Sequence, residues 1–380
     1  MMMSLTALSI DTMLPALFQI SSDLNVANPN DRQLIISIIF VGQAFGQLFF
    51  GPLSDKTGRK QAIYIGYFLF IIGSLISGFS MNFSTMLLGR TLQGIGTSAP
   101  RAVSLALARD RFEGKRMAQI MSFAMAVFIL MPMIAPAIGQ GILLLAGWRS
   151  IFGVFILFAL VTVIWFGLRI PETLALEDRI PFSVRQIIES IRIILKIRFA
   201  LGYTLILGFI QGFFLGYLNS SQQIFQEQYA LGQLFPLYFA IISLSLGTSS
   251  FLNARLVMRY GMVKLVRWAL GIAFGQAVVF LAIAAAMAGH PPLWALTIHL
   301  MVSFFCIGIL FGNISALAMQ ALGHLAGIGA AVVGSLSTLI SVPLGVVIGH
   351  SYDGTVLPLA LGMVVLTGIS IITNRLAGSE

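Results

Sequence analysis

A chain of 380 residues would ordinarily hold two or three soluble domains at about 150 residues each. Its composition excludes that: hydrophobic residues make up 58% and charged residues 9%, against about 45–50% and about 25% in soluble chains. The 22 basic and 13 acidic side chains give a net charge of +9 and cannot clothe a globule of this size. Twelve spans of about 22 residues, each enough for a ~30 Å hydrocarbon core, would take up roughly two thirds of the chain. The lone Cys306 excludes an internal disulfide. No basic segment precedes the first apolar stretch, so no cleaved leader is expected.

Hydropathy and helix breakers predict an all-α polytopic membrane protein of twelve helices. The first, over 2–20, holds Asp11, the one carboxylate inside a span and away from its ends. The second, over 32–54, places Gln43 and Gln47 four apart on one face and runs through Gly51, Asp55 and Gly58 into the basic turn at Arg59 and Lys60. After the third, over 61–80, the fourth covers 84–108 and carries Gln93 and the only two cations inside a span, Arg90 and Arg101. Eleven residues is close to three turns, about 20° from eclipsed, so both arginines face one way. Asp110 follows this helix. The fifth, over 115–146, contains Pro132, Pro136, Gly139 and Gly141, and the sixth covers 148–168.

A polar stretch over 169–197 then separates the two halves. The seventh helix, over 198–221, has Gln211, Tyr217 and Asn219 as its polar content. The rest are expected at 232–257, 263–287, 292–316, 325–349 and 355–376, with His299 inside the tenth. The domain expectation is therefore an N-terminal six-helix bundle over 1–168, a central linker over 169–197 and a C-terminal six-helix bundle over 198–380.

Loop charges set orientation. Eighteen of the 22 basic residues fall on one side: 56, 59 and 60; 109, 111, 115 and 116; 169, 179, 185, 192, 196 and 198; 255, 259, 264 and 267; and 375. Arg32 and Arg149 alone fall on the other. By the positive-inside rule, both termini and the linker are cytoplasmic. The high charge is thus a topology signal, and no nucleic-acid partner is expected. Shifted by 203 residues, Lys56-Thr57-Gly58 falls on Arg259-Tyr260-Gly261, and Pro343, Gly345 and Gly349 of the eleventh helix echo the fifth. The halves read as parallel repeats.

The run Gly42-Gln43-Ala44-Phe45-Gly46-Gln47-Leu48-Phe49-Phe50-Gly51-Pro52-Leu53-Ser54-Asp55, continued by Gly58-Arg59-Lys60, resembles the major facilitator superfamily. More narrowly, it is similar to the bicyclomycin-resistance (Bcr/CflA) branch of drug:proton antiporters. Asp11-Thr12-Met13-Leu14-Pro15, Arg90-Thr91-Leu92-Gln93-Gly94-Ile95-Gly96 and Ala135-Pro136-Ala137-Ile138-Gly139-Gln140-Gly141 resemble further elements of that branch, the last departing at Ala135 and Gln140 from an antiporter motif. The resemblance covers the first half in register and fades in the second. It implies the major facilitator fold, two pseudo-symmetric six-helix bundles, and alternating access. It also implies that Asp55, Arg59 and Asp110, with Gly51 and Gly58, form a cytoplasmic gate between states. Family members carry a short polar tail before the first helix, so a start at residue 1 implies a shortened or late-assigned N-terminus.

Asp11 and Arg90 lie at similar depth and are expected to couple proton and substrate; a permanently paired structural acid is the alternative. Arg101 is expected in the substrate cavity, facing anionic substrate groups, or else at a cytoplasmic gate or snorkelling to the inner interface. Gln43, Gln47, Gln93, Gln211, Tyr217 and Asn219 are expected in the same cavity, although interhelical hydrogen bonds would account for the amides equally well. Pro136, Gly139 and Gly141 suit a hinge or seal, or simply a packed kink. His299 is expected to be a packing residue. His290, His299, His324 and His350 show no ligand spacing, and no phosphate-binding loop is present, so no enzyme activity, metal or cofactor is expected.

The chain thus reads as a secondary transporter exporting small amphiphilic drugs or metabolites by proton antiport, monomeric, in the bilayer of a bacterial inner membrane. A proton-linked importer or facilitator and a non-transporting sensor or assembly factor are the alternatives.

Overall fold

The structure is a computed structural model that describes residues 2–112, 114–322 and 326–377. His324, expected as a non-ligand, lies outside the described residues, as do the side chains of Arg109 and Lys115. Among the described residues the secondary structure is helical, with no strand. The helices are α1 (Ser4–Asp11), α2 (Leu17–Asp23), α3 (Leu34–Thr57), α4 (Arg59–Gly78), α5 (Phe83–Arg111), α6 (Gly114–Ala146) and α7 (Arg149–Arg169). They continue with α8 (Val184–Lys196), α9 (Arg198–Gln222), α10 (Phe235–Tyr260), α11 (Met262–Ala286), α12 (Leu293–Gln320), α13 (Ala326–His350) and α14 (Leu357–Ala377).

Nine helical segments among the described residues are long and apolar enough to cross a membrane. The other three predicted spans are also helical, and each differs for a local reason. α5 is long enough but carries Arg90, Gln93 and Arg101. α6 has one shorter apolar stretch within its described residues, Leu130–Ala146. The first predicted helix is broken into α1, a 3-10 turn at Leu14–Ala16, and α2. Pro15 has no N–H to offer the Asp11 carbonyl four residues back, and the Met13 N–H turns to Ile10 instead of Ser9.

The polar linker hides a helix that the hydropathy reading passed over. In α8, Ile187, Ser190 and Ile194 are buried at helical spacing, while Arg185, Glu189 and Lys196 are exposed between them. The polar face lowered the average below that of a span, although the periodicity is that of an amphipathic helix.

The chain forms two compact units, Met1–Ser190 with Ala330–Ser335, and Ile191–Gly329 with Leu336–Glu380. In the first unit α5 packs against both α3 and α4. Its glycines allow this: a Cβ on Gly94 would collide with the Ile39 carbonyl of α3, and one on Gly96 would lie 2.6 Å from the Gly66 carbonyl of α4. The connections α3–α4 and α10–α11 share one conformation. Gly58 has φ 100° and ψ 157°, and Gly261 has φ 76° and ψ 158°. Such φ values favour glycine because no Cβ opposes them. The sequence alignment at a shift of 203 residues pairs these two glycines.

Gly94→Ala is expected to cost about 1–3 kcal/mol by overpacking, a fall in melting temperature of ~2–4 °C per kcal/mol. Gly141→Ala, with no atom within 4 Å of the added Cβ, should leave it unchanged. Thermal unfolding of the two purified variants checks the difference.

Candidate functional site

Asp11 ends α1 and is 5% exposed. Among the described residues no cation lies within ion-pairing distance of it. α1 packs against α5 and α6. It is unusually polar for a buried helix: Ser4, Thr6 and Ser9 are buried, as is Thr12 just beyond its end. The Ser9 hydroxyl donates to the Thr6 carbonyl at 2.8 Å. The hydroxyls of Ser4, Thr6 and Thr12 have no hydrogen-bond partner. Ser4 lies two turns before Asp11 on the same face. These hydroxyls flank the carboxylate in sequence, and that cluster is the signal the sequence reading did not use.

Arg90 is fully buried in α5. Its Nε donates to the Ile35 carbonyl of α3 at 3.0 Å, its Nη1 to Gln93 Oε1 at 2.8 Å, and its Nη2 to the Ser9 carbonyl of α1 at 2.9 Å. Gln93 Nε2 in turn donates to Ser74 Oγ of α4 at 2.7 Å. The guanidinium therefore links three helices directly and a fourth through Gln93. The Ser9 carbonyl can accept this bond because the Pro15 break has redirected the Met13 N–H. Hydrogen bonds to a charged group contribute about 1.5–3 kcal/mol each, and three of them offset the several kcal/mol of burying a cation. Asp11 and Arg90 do not meet as an ion pair. Arg90 instead holds the backbone two residues before Asp11.

Pro136 and Gly139 of α6 are buried, and a Cβ on Gly139 would collide with the Thr12 carbonyl. This brings the fifth-helix motif against the residue that follows Asp11. Gly141 has open space around it.

The remaining predicted cavity residues divide. Arg101 is exposed and has no hydrogen-bond or ion-pair partner among the described residues. Gln43 is buried, its Nε2 3.4 Å from Thr97 Oγ1 of α5, and Gln47 is half-buried. In the second unit Gln211 Nε2 lies 3.4 Å from Thr338 Oγ1, Asn219 Nδ2 donates to the Gly345 carbonyl at 2.9 Å, and Tyr217 is buried against Phe304 and Phe239. Gln43, Gln211 and Asn219 thus make interhelical contacts in this conformation. His299 stacks on Phe280 with ring centroids 3.9 Å apart and meets Gln276 Oε1 at 2.6 Å, while its Nε2 has no partner.

The Gly58 end of the first unit carries a dense charge cluster. Arg59 pairs with both Asp55 and Asp110, the latter at 2.9 Å through Nε. Its Nη1 also reaches Ser54 Oγ at 2.8 Å, and that hydroxyl donates to the Gly51 carbonyl at 2.8 Å. All five residues expected at the gate therefore lie in this one cluster or its turn. The sequence reading missed Glu172. Its carboxylate accepts from the Arg59 and Lys60 N–H groups at 2.9 and 3.0 Å, capping α4, and from the Thr173 and Leu174 N–H groups at 2.9 and 3.1 Å. The Thr173 hydroxyl donates to Asp110 at 2.9 Å, and the Ile180 N–H donates to the Asp55 carbonyl at 3.0 Å. The start of the linker is thereby fastened across the cluster.

Partial burial raises the Glu172 pKa, and the four backbone donors more than offset this, leaving it below the ordinary carboxylate value. A depressed pKa contributes stability that is present above the unfolded-state value and is lost as pH falls through the folded one. Glu172→Gln is expected to unfold at lower temperature than the parent at pH 7. The gap should narrow as pH falls and the parent carboxylate is protonated too. Melting curves of both proteins from pH 7 down to pH 3.5 measure this.

Comparison with known proteins places this geometry in a family. The family model described as Major Facilitator Superfamily matches residues 1–377. An uncharacterized MFS-type transporter, YdgK, of Bacillus subtilis is 34% identical over 369 residues, 96% of this chain and 90% of the relative. A bicyclomycin resistance protein homolog of Haemophilus influenzae is 28% identical over 367 residues, again 96% and 90%. Among solved structures, a D-xylose-proton symporter superposes with a TM-score of 0.74 at 15% identity, covering 100% of this chain and 95% of that one. The chain is a multi-pass membrane protein with the transporter fold, and it belongs to the Major Facilitator Superfamily.

Proposed function

We propose that this protein exports small amphiphilic drugs or metabolites in exchange for protons, by alternating access of its two halves. The observation that carries the reading is the Asp11 carboxylate. It is buried at the end of a broken helix without a cation, while Arg90 holds the Ser9 carbonyl two residues away. Ionisable groups inside a membrane are costly and serve transport pathways by default. In this reading Asp11 takes a proton from one side and releases it to the other. The Ser9–Arg90 bond transmits the accompanying shift of α1 to α3, α4 and α5. The bicyclomycin-resistance relative supports drug export as the direction.

Arg101 is assigned to the substrate. An exposed guanidinium with no partner among the described residues, on the helix that carries Arg90, offers a bidentate site for an anionic or zwitterionic group. Asp55, Arg59, Asp110 and Glu172 are assigned to the latch that holds one state. Eighteen basic loop residues on one side support cytoplasmic termini, and the bacterial relatives support an inner-membrane location. The same family membership supports transport without enzymatic chemistry, by a monomer.

Asp11→Asn is expected to abolish efflux driven by a proton gradient in inverted vesicles while substrate counterflow survives; uphill efflux by this variant would overturn the proton role. Arg101→Ala is expected to raise the KM for anionic or zwitterionic substrates about tenfold, the loss of one charge-assisted bond. Neutral substrates should be little affected, so an equal loss for both classes would remove Arg101 from the site.

A further inference from the structure

The second unit carries a groove of about 510 Å³ between α10, α11 and α12. Its walls include Ser245 and Tyr260 of α10, Trp268 and Ile272 of α11, and Phe305 and Ile309 of α12. The lining on α10 runs from Ser245 to Tyr260, about 22 Å at 1.5 Å per residue. This is the scale of an extended acyl chain and far longer than a small solute. Trp268 and Ile272 are both exposed.

One end of this apolar groove is rimmed by cations. Lys264 Nζ lies 4.9 Å from the Trp268 ring centre and 5.9 Å from that of Tyr260, and the Arg259 guanidinium lies 5.3 Å from Tyr260. Both cations are exposed. The stretch 251–275 contains no Asp or Glu. The repeat sharpens the contrast. In the first unit the turn at Gly58 is closed by the chain's own carboxylate, Glu172. In the second, α11 follows Gly261, and among the described residues no carboxylate is bonded to its first N–H groups or paired with Arg259 or Lys264.

We propose that this groove binds one anionic phospholipid. An acyl chain lies along α10 between Tyr260 and Ser245, and the phosphate sits between Arg259 and Lys264. The aromatic pair Tyr260 and Trp268 occupies the interfacial level at which such rings are favoured in membranes. Basic clusters beside a membrane attract anionic headgroups. The lipid phosphate would supply in the second unit the negative charge that Glu172 supplies in the first. The inference stands on the groove and its rim and is independent of the transport reading.

The test is native mass spectrometry of the full-length protein titrated with phosphatidylglycerol, phosphatidylcholine or inorganic phosphate. One phosphatidylglycerol adduct is expected, bound about tenfold or more tightly than phosphatidylcholine, with no adduct from phosphate alone. Lys264→Ala combined with Arg259→Ala should remove that preference. Ile272→Trp, which fills the groove from an exposed position, should remove the adduct without lowering the melting temperature. Arg185→Ala, an exposed cation outside the groove, should change neither. Equal binding of both lipids, retention by the Arg259/Lys264 variant, equal binding of free phosphate, or a protein dimer in place of a lipid adduct would each overturn the proposal.

Discussion

The fold of the first unit depends on how a fully buried guanidinium is satisfied without a carboxylate. Arg90 meets two backbone carbonyls and one amide oxygen, and each acceptor comes with a structural requirement. The Ser9 carbonyl is available because Pro15 breaks the first helix. The Gln93 oxygen is aimed because its Nε2 is held by Ser74. Access to Ile35 and Ser74 requires α5 to lie close against both α3 and α4, which the glycines following Arg90 allow. A lysine could not make this pattern, since its ammonium lacks the planar fork that reaches three separate helices.

This arrangement leaves Asp11 buried, with no cation at ion-pairing distance among the described residues. Were Arg90 to form an ion pair with Asp11, the carboxylate would be held charged. By taking neutral oxygens on α1 instead, the arginine fixes the helix and leaves its acid unpaired. The packing of Gly139 against the Thr12 carbonyl puts α6 at the same break. One interrupted helix therefore gathers the acid, the arginine link and the small-residue contact.

The Gly58 end uses the opposite strategy. There Arg59 is paired with two carboxylates, and a third, Glu172, closes the helix terminus with backbone donors. Charges at this end neutralise one another across α3, α4, α5 and the linker. The corresponding turn at Gly261 keeps the backbone conformation and the cations, but among the described residues no carboxylate closes it. The repeat has conserved its geometry in both copies and its electrostatics in only one.

The twelve helical segments, the glycine turns and the isolation of Asp11, Arg90 and Arg101 were legible in the sequence. Each rests on hydropathy, backbone sterics or the rarity of charge in a span, and these are local properties. α8 was legible only in its periodicity, since its polar face lowers the hydropathy average. The role of Glu172 was not legible, because its carboxylate finds its partners only when folded against residues more than a hundred positions away. Nor could spacing tell that Arg90 turns to Ser9 and not to Asp11. Depth along two helices is a one-dimensional estimate, whereas the choice of partner depends on which carbonyl the break at Pro15 has freed and on which face of α1 meets α5. The sequence by itself determined that this is a polytopic helical protein with three charges that topology leaves unexplained. Only the tertiary structure decided how those charges are satisfied, because a hydrogen bond is settled by the positions of two groups and the sequence specifies only that both are present.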